Sequence, residues 1–276
     1  MEMANTDIKF ARVQSASSIN TYKQCPRKYY YQYIEKLESL PNIHQVRGKI
    51  IHSSIETFFT VPPEIIGDDF RSQLRIIAID IFNKVWEAKD DELMNVGISK
   101  AQLNFYYEES LMLILNWYNG FMAKLAEHML VDGKQFVEAF NTLKPLGEVY
   151  IESQYHGIHG FIDAIHNIGG ETVIIDYKTS SSTEIKPEYK LQLAIYAMLY
   201  TEKHGIQPSR VGINFLRGEE KFIDVDQGLL DFAKKEVNLL HLKTQSCDKC
   251  DYPKQVSGLC KWRTGMCDFY TKCAEE

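Results

Sequence analysis

The sequence that decides the fold is a pair of short motifs, Gly160-Phe161-Ile162-Asp163 and Asp176-Tyr177-Lys178-Thr179. Gly169-Gly170 separates the two motifs, and the apolar run Val173-Ile174-Ile175 leads into the second. This pattern predicts two strands of one hairpin, with Asp163 and Asp176 on adjacent strands. Because side chains alternate along a strand, Lys178 is predicted to project from the same face as Asp176.

Two carboxylates and a lysine in this arrangement favour phosphate chemistry. If Asp163 and Asp176 face the same side, they can share a hard divalent cation such as Mg²⁺ or Mn²⁺. Lys178 could then orient the attacking water or help to deprotonate it, while the metal polarises the phosphoryl group. The alternative is a surface strand with a solvated charged face. The apolar residues before Asp176 argue against it, because unpaired charges on a buried strand are costly.

The hydrophobic periodicity around the hairpin predicts an α/β protein. Strands are expected at about 148–152, 157–166, 172–177, 211–216 and 221–225. Helices are expected at about 17–24, 26–37, 47–59, 69–88, 99–130, 187–203 and 228–243. We expect four regions, namely N-terminal helices of the core (1–60), a helical insertion (61–145), a catalytic α/β core (146–245) and a cysteine-rich segment (246–276).

Length and composition restrict the class of protein. With 276 residues, 45% of them hydrophobic, the chain is long enough for one large core or two modest ones. A net charge of -6 argues against a protein that coats nucleic acid indiscriminately, although a local basic groove remains possible. Residues 1–10 lack a leader-like pattern, and the sequence has no apolar run long enough to span a membrane, so we expect a cytoplasmic protein.

Three further groups of residues have no specific meaning by themselves. His52 lies on a predicted helix, where a lone histidine is more often a packing residue. Gln192 and Tyr196 are four positions apart and share one helix face. Tyrosines at 29, 30 and 33 follow Pro26, and we expect a core or half-buried face there rather than a surface that stacks on bases.

In this order, the motifs resemble the PD-(D/E)xK superfamily and, within it, the RecB-like nucleases and the CRISPR-associated adaptation nucleases. The matching parts are the segment 17–30, His52, the Gly-x-x-Asp motif with Asp163, the Asp-x-Lys motif with Asp176 and Lys178, and the Gln-x-x-x-Tyr motif with Gln192 and Tyr196. The resemblance implies a restriction-endonuclease-like core, with a central mixed sheet flanked by helices.

The resemblance also implies a role for each matching residue. His52, Asp163 and Asp176 would bind the metal, together with the backbone carbonyl of Tyr177. Lys178 would be catalytic. The remaining pair, Gln192 and Tyr196, would position the lysine or the DNA strand.

Five of the six cysteines lie between Cys247 and Cys273, and a reducing compartment favours metal ligands over disulfides. The iron-sulfur type of RecB-like nuclease holds a [4Fe-4S] cluster with one early and three late cysteines. The resemblance assigns these positions to Cys25, Cys260, Cys267 and Cys273. Six residues separate Cys260 from Cys267 where the family usually has two, so Cys247 or Cys250 could replace Cys260, and structural zinc or free thiols remain alternatives.

The expected function is that of a metal-dependent exonuclease that acts on single-stranded DNA or DNA ends. A catalytically silent DNA-binding or scaffolding subunit of a recombination, repair or CRISPR adaptation complex is the alternative. A redox or metal sensor would leave the carboxylates and the lysine unexplained. Because the sequence has no Gly-x-x-x-x-Gly-Lys-Ser/Thr motif, any unwinding would have to come from a helicase or another repair partner.

Overall fold

A six-stranded mixed sheet forms the centre of the protein, whose computed structural model describes residues 10–39, 42–262 and 265–276. Its strands are β1 (Gln14–Ser15), β2 (Leu146–Ser153), β3 (Ile158–Ile168), β4 (Glu171–Lys178), β5 (Arg210–Phe215) and β6 (Glu220–Asp224). Strand β3 pairs antiparallel with β2 on one edge, and with β4 and the short parallel β1 on the other. Strand β4 is parallel to β5, and β6 closes the far edge antiparallel to β5. The predicted central mixed sheet is therefore confirmed.

The turn between β3 and β4 follows directly from the sequence. Gly169 and Gly170 have positive φ angles of 62° and 84°, which the tight turns of β-hairpins require and which side chains with a Cβ rarely adopt. The β-branched run before Asp176 then forms a buried strand. Asp163 and Asp176 consequently lie on adjacent strands, as predicted.

The helices flank both faces of the sheet. They are α1 (Ala16–Gln24), α2 (Pro26–Tyr29), α3 (Ile43–Phe58), α4 (Phe70–Glu87), α5 (Asp90–Met94), α6 (Lys100–Leu130), α7 (Phe136–Leu143), α8 (Pro187–His204), α9 (Gln227–Lys243) and α10 (Tyr270–Glu275). A π-helical turn, Tyr30–Ile34, continues α2. Helix α3 begins four residues before the predicted start, because Asn42 and Gln45 form a capping box.

Two hydrophobic cores lie on opposite faces of the sheet. Helices α3, α4, α6 and α7 cover one face, where Ile175 and Tyr177 of β4 point into their core. Helices α1, α8 and α9 cover the other, which receives Ile174 of the same strand. Each fully buried aliphatic or aromatic side chain contributes about 1.5–3 kcal/mol. The two covered faces hold the ends of β3 and β4 in place between them.

Polar contacts join α6 to the sheet and to α3. Glu109 forms ion pairs with the buried Arg47 of α3 and with Arg217, which follows β5. Asn116 donates to the carbonyl of Leu216 at 3.0 Å. These contacts fix the long helix α6 over the end of β5, next to the end of β4.

The two ends of the chain contact each other. Nε of Arg27 donates to the carbonyl of Tyr252 at 2.8 Å, and its guanidinium pairs with Glu276 at 3.0 Å. The rings of Tyr29 and Tyr252 are stacked 6.0 Å apart and both are fully buried. Tyr29 is thus a core residue, as predicted. Its contact with Tyr252 shows that the N-terminal helices pack directly on the C-terminal segment.

The last part of the chain is short and irregular apart from a two-stranded hairpin and α10. The hairpin consists of β7 (Lys261–Trp262) and β8 (Gly265–Met266). Residues 1–9, to which the expectation about a leader applies, lie outside the described residues. Across the described part of the chain, none of the helices has the length and apolar character needed to cross a bilayer.

Candidate active site

Three of the predicted metal ligands converge where α3 lies beside the middle of β3 and the C-terminal end of β4. Nδ1 of His52 lies 3.3 Å from Oδ1 of Asp163, and Nε2 of His52 lies 2.9 Å from the carbonyl oxygen of Tyr177. The backbone N–H of Tyr177 donates to Oδ2 of Asp163 at 2.9 Å. An imidazole, a carboxylate and a backbone carbonyl from three different elements therefore meet at one point.

The regular alternation of β3 breaks at this point. Ile162 and Ile165 both pack into the core that α1, α8 and α9 cover, although Ile165 follows Ile162 by three positions. Regular period-two alternation would place these two side chains on opposite faces. Asp163 lies at the break, next to the second half of α3, where its carboxylate meets both His52 and the backbone of β4.

Glu148 of β2 is a site residue that the sequence analysis did not identify. Ligand atoms of His52, Glu148 and Asp163 all lie within 4.8 Å of one another. The ladder pairs on either side, Gly147 with Ala164 and Val149 with Ile162, place Glu148 directly opposite Asp163. Two adjacent strands thus contribute one carboxylate each. The signal available in the sequence was a glutamate that falls opposite Asp163 when the two predicted strands are paired as a hairpin.

Asp176 and Lys178 form a separate pair beside this group. Nζ of Lys178 lies 2.7 Å from Oδ2 of Asp176, whose residue is 2% exposed. Asp176 is not among the three residues whose ligand atoms cluster within 4.8 Å. The prediction that Lys178 projects on the same side as Asp176 agrees with this contact.

Helix α8 holds Lys178 through a chain of two hydrogen bonds. Lys178 donates to Oε1 of Gln192 at 2.9 Å, and Nε2 of Gln192 donates to the hydroxyl of Tyr196 at 2.7 Å. The Tyr196 ring lies so close to β3 that a Cβ at Gly160 would be 3.0 Å from its Cε1. The glycine of the Gly-x-x-Asp motif therefore makes room for the tyrosine of the Gln-x-x-x-Tyr motif.

The charges of the site change the ionisation of its members. Burial opposes protonation of His52, but the hydrogen bond and charge of Asp163 outweigh it and raise the pKa of His52 to about 8. Burial raises the pKa of Asp176 to about 6, although the Lys178 ammonium acts in the opposite direction. Burial would lower the pKa of Lys178, but Asp176 raises it, so the lysine remains protonated.

The donor set suits a divalent cation. Carboxylates and carbonyls are the ligands that Mg²⁺ and Mn²⁺ prefer, and imidazole is better suited to Mn²⁺. The group lines a pocket of about 410 Å³, together with Glu56 and Lys144, which is open to solvent. A cation there would compete with the proton on His52, since only neutral imidazole binds metal.

A second cluster of possible ligands lies at the junction of the chain ends. Cys25, Cys260, Cys267 and Cys273 all line one small pocket with Tyr31 and Phe269. Cys25 stands between α1 and α2, as predicted, and closes the last turn of α1 by donating its N–H to Thr21. The exposed Cys247 and Cys250 do not line this pocket.

The chain is similar to known proteins over most of its length. Residues 14–274 match the PD-(D/E)XK nuclease superfamily. The Gene 69 protein of Mycobacterium phage D29 is 25% identical over 238 residues, which cover 78% of each chain. The crystal structure of a "Putative exonuclease" from Eubacterium rectale matches with a TM-score of 0.50 and 12% identity, over 94% of this chain and 92% of that one, and this likeness concerns the fold. Because the superfamily match runs from β1 to α10 and includes each residue of the site, the chain belongs to the PD-(D/E)XK nuclease superfamily.

Proposed function

We propose that this protein is a divalent-metal-dependent deoxyribonuclease that hydrolyses phosphodiester bonds, acting as an exonuclease on single-stranded DNA or DNA ends. One observation carries the proposal: an imidazole and two carboxylates have ligand atoms within 4.8 Å of one another, and a backbone carbonyl contacts the same imidazole, beside a buried aspartate–lysine pair. A protein that only binds DNA has no need for this combination.

Each residue has a distinct role in the proposed reaction. His52, Glu148, Asp163 and the Tyr177 carbonyl would hold Mg²⁺ or Mn²⁺, and Asp176 would complete the set. The cation, when bound, polarises the phosphoryl oxygens and lowers the pKa of a bound water. Lys178 would orient the attacking water and stabilise negative charge on the phosphate oxygens. Gln192 and Tyr196 would act as positioning residues for Lys178.

The exonuclease and single-strand preferences rest on the resemblance to RecB-like and CRISPR-associated adaptation nucleases. The protein similar in fold from Eubacterium rectale is described as a "Putative exonuclease", which agrees with this proposal. Any duplex substrate would need a separate helicase or another repair or CRISPR partner. We propose a cytoplasmic location, which the sequence pattern favours.

The four cysteines that share one pocket support a [4Fe-4S] cluster as a structural cofactor. We propose that Cys25, Cys260, Cys267 and Cys273 hold this cluster, as the resemblance implies, with structural zinc or free thiols as the alternatives.

The decisive experiment is digestion of end-labelled DNA. Purified protein is incubated with single-stranded, double-stranded and closed circular single-stranded DNA in Mg²⁺, in Mn²⁺ and in a chelator. We expect metal-dependent shortening of linear single strands and little cutting of the circle. Rapid cutting of the circle would replace the exonuclease proposal with an endonuclease. Tight binding without cleavage in either metal would favour the catalytically silent DNA-binding subunit instead.

A further inference from the structure

An exposed aromatic cluster continues the candidate active site along the β2–β3 hairpin. We call the side chains of Tyr150, His159 and Phe161 the aromatic platform. Tyr150 is 44% and Phe161 51% exposed, and the two are direct cross-strand partners with ring centroids 5.0 Å apart. The ring of His159 lies 5.7 Å from that of Tyr150. Adjacent rings that face water offer an apolar surface on which a planar ligand can stack.

The platform and the metal ligands share one face of the hairpin. On β2, Glu148 and Tyr150 are two positions apart, and on β3, Phe161 and Asp163 are two positions apart. The carboxylates of Glu148 and Asp163 lie on the α3 side of the sheet, where both approach His52, and Cα atoms two positions apart on a strand are separated by about 7 Å. The intervening Val149 and Ile162 point instead into the core under the opposite face. The rings of Tyr150 and Phe161 are therefore the next side chains along the surface from the two carboxylates.

We propose that the aromatic platform binds unpaired nucleobases next to the phosphate that the site cleaves, a proposal that rests on the proposed nuclease function. Base–aromatic stacking tolerates any sequence, because every base has a π-face. A distance of about 7 Å equals two base-to-base rises of 3.4 Å, so a base near the scissile phosphate reaches the platform. Bases inside a duplex cannot present their faces to a flat protein surface. The platform thus selects single strands.

The charges around the platform decide which part of the strand faces it. The hydroxyl of Tyr150 donates to Glu152 at 2.5 Å, and Glu152 is the cross-strand partner of His159. A carboxylate at this place repels phosphates and tolerates neutral bases. Lys144, which lines the pocket with Glu148 and Asp163, is a cation placed to meet the backbone on the other side of the metal ligands.

The test measures whether loss of the platform rings and loss of the bases weaken DNA binding through the same contact. Binding of a fluorescent oligothymidylate of about 12 nucleotides is measured in Mn²⁺, with Lys178→Ala in every protein so that the probe stays intact. The platform variant carries Tyr150→Thr and Phe161→Thr, because threonine retains β-propensity without a ring. The second probe has abasic sites at successive positions. Phe105→Ala, which removes a 61% exposed ring from α6, is the matched control.

We expect the platform variant to bind the normal probe roughly 5- to 150-fold more weakly, the effect of losing one stacked base. Abasic sites at one or two positions should weaken binding to the unaltered platform by a similar factor and leave the platform variant unaffected, since the two losses remove the same contact. Phe105→Ala should bind like the parent. Phe161→Trp, with Tyr150 intact, should retain full affinity, and thermal unfolding of each protein verifies that it is folded.

Three results would overturn the proposal. The first is equal affinity of the folded platform variant and its parent for the normal probe. The second is an equal effect of abasic sites on both proteins. The third is concentration-dependent dimerisation that the platform variant abolishes, since β2 is an edge strand and a second copy would then be the occupant. If the wild-type protein cleaves DNA and binding does not depend on the rings, only the platform proposal is wrong. If binding depends on the rings and the wild-type protein does not cleave, only the proposed nuclease function is wrong.

Discussion

The ammonium of Lys178 lies 2.9 Å from Oε1 of Gln192, although the two residues belong to different elements, the end of β4 and the first half of α8. Tyr196 accepts from the amide nitrogen of Gln192 at 2.7 Å and so fixes which end of the amide faces the lysine. Asp176 contacts the same ammonium at 2.7 Å. The lysine is therefore held between a neutral and a charged acceptor.

Replacing Gln192 by leucine should lower the turnover number by about 10- to 100-fold, because Lys178 would lose one of its two acceptors and its fixed direction. Affinity for Mn²⁺, measured by calorimetry, should not change, since Gln192 does not contact the metal ligands. Glu188→Gln, at an exposed position near the start of the same helix, is the control. Equal loss in both variants would indicate a general effect on α8 rather than positioning of the lysine.

Substitution of the central charged residues should abolish cleavage. Asp163→Asn, Asp176→Asn and Lys178→Ala should each reduce the rate by more than about 100-fold, since they serve the cation and the attacking water. His52→Ala should be milder while the carboxylates remain. Rates on a labelled single strand in Mg²⁺ and Mn²⁺ test this, and we expect Mn²⁺ to be at least as effective. A fully active Asp176→Asn protein would remove that residue from the mechanism.

Glu148→Gln should weaken Mn²⁺ binding by about tenfold and lower activity at limiting metal, with recovery at high metal concentration. The reason is the position of its carboxylate, within 4.8 Å of ligand atoms of both His52 and Asp163. Glu152→Gln, four positions further along the same strand, is the matched control. If the two variants bind Mn²⁺ equally well, Glu148 is not a ligand.

Local pattern was sufficient to predict the hairpin that carries Asp163 and Asp176, because a glycine pair, a β-branched run and a period of two act over a few residues. Glu148 was missed because its importance depends on register. Strand β2 contains several exposed positions, and only the pairing with β3 places this glutamate opposite Asp163. The break of alternation at Asp163 likewise depends on the cores on both faces of the sheet.

Contacts between distant segments were the least predictable. The motifs suggested that Cys25 would meet the C-terminal cysteines, but the packing of Tyr29 on Tyr252 has no counterpart in either local sequence. The ion pairs of Glu109 with Arg47 and Arg217 join α6 to α3 and to the turn after β5, and they too could not be predicted from local sequence. Such contacts depend on how the helices cross the sheet, and periodicity within one helix contains no information about the crossing.

The stability of the fold should fall in acid partly because of His166 on β3. Burial, together with the nearby Lys124 ammonium, lowers the pKa of His166 to about 4, whereas Glu220 acts weakly in the other direction. An unfolded histidine has a pKa of about 6.5, so the unfolded chain binds the extra proton between pH 6.5 and 4. His166 therefore does not reduce the free energy of unfolding above pH 6.5. As the pH falls from 6.5 towards 4, proton binding to the unfolded chain lowers this free energy progressively.

Replacing His166 by glutamine should therefore flatten the pH dependence of the free energy of unfolding in this window. We expect a difference of about 2 kcal/mol between pH 7 and pH 4, below the full value for such a pKa difference because the side chain is partly exposed. Urea unfolding at several pH values measures it. His204→Gln, at an exposed position, should retain the wild-type slope. Parallel curves for all three proteins would contradict the assignment.

Cys25→Ser should lower iron content and stability together. Cys25 lines the same pocket as Cys260, Cys267 and Cys273 from the junction of α1 and α2, so a cluster there joins the two ends of the chain and closes a very long loop. Metal binding to a folded site also stabilises the fold directly. Protein prepared without oxygen should be brown and contain about four irons per chain, and the variant should be colourless with a lower melting temperature.

The Cys25→Ser variant should remain folded, because Arg27 and the stacked tyrosines still hold the two ends of the chain together. Cys250→Ser, outside the pocket, should retain both iron and melting temperature. Stoichiometric zinc without iron would change the identity of the metal and keep the connection, whereas unchanged metal content and stability in Cys25→Ser would contradict both.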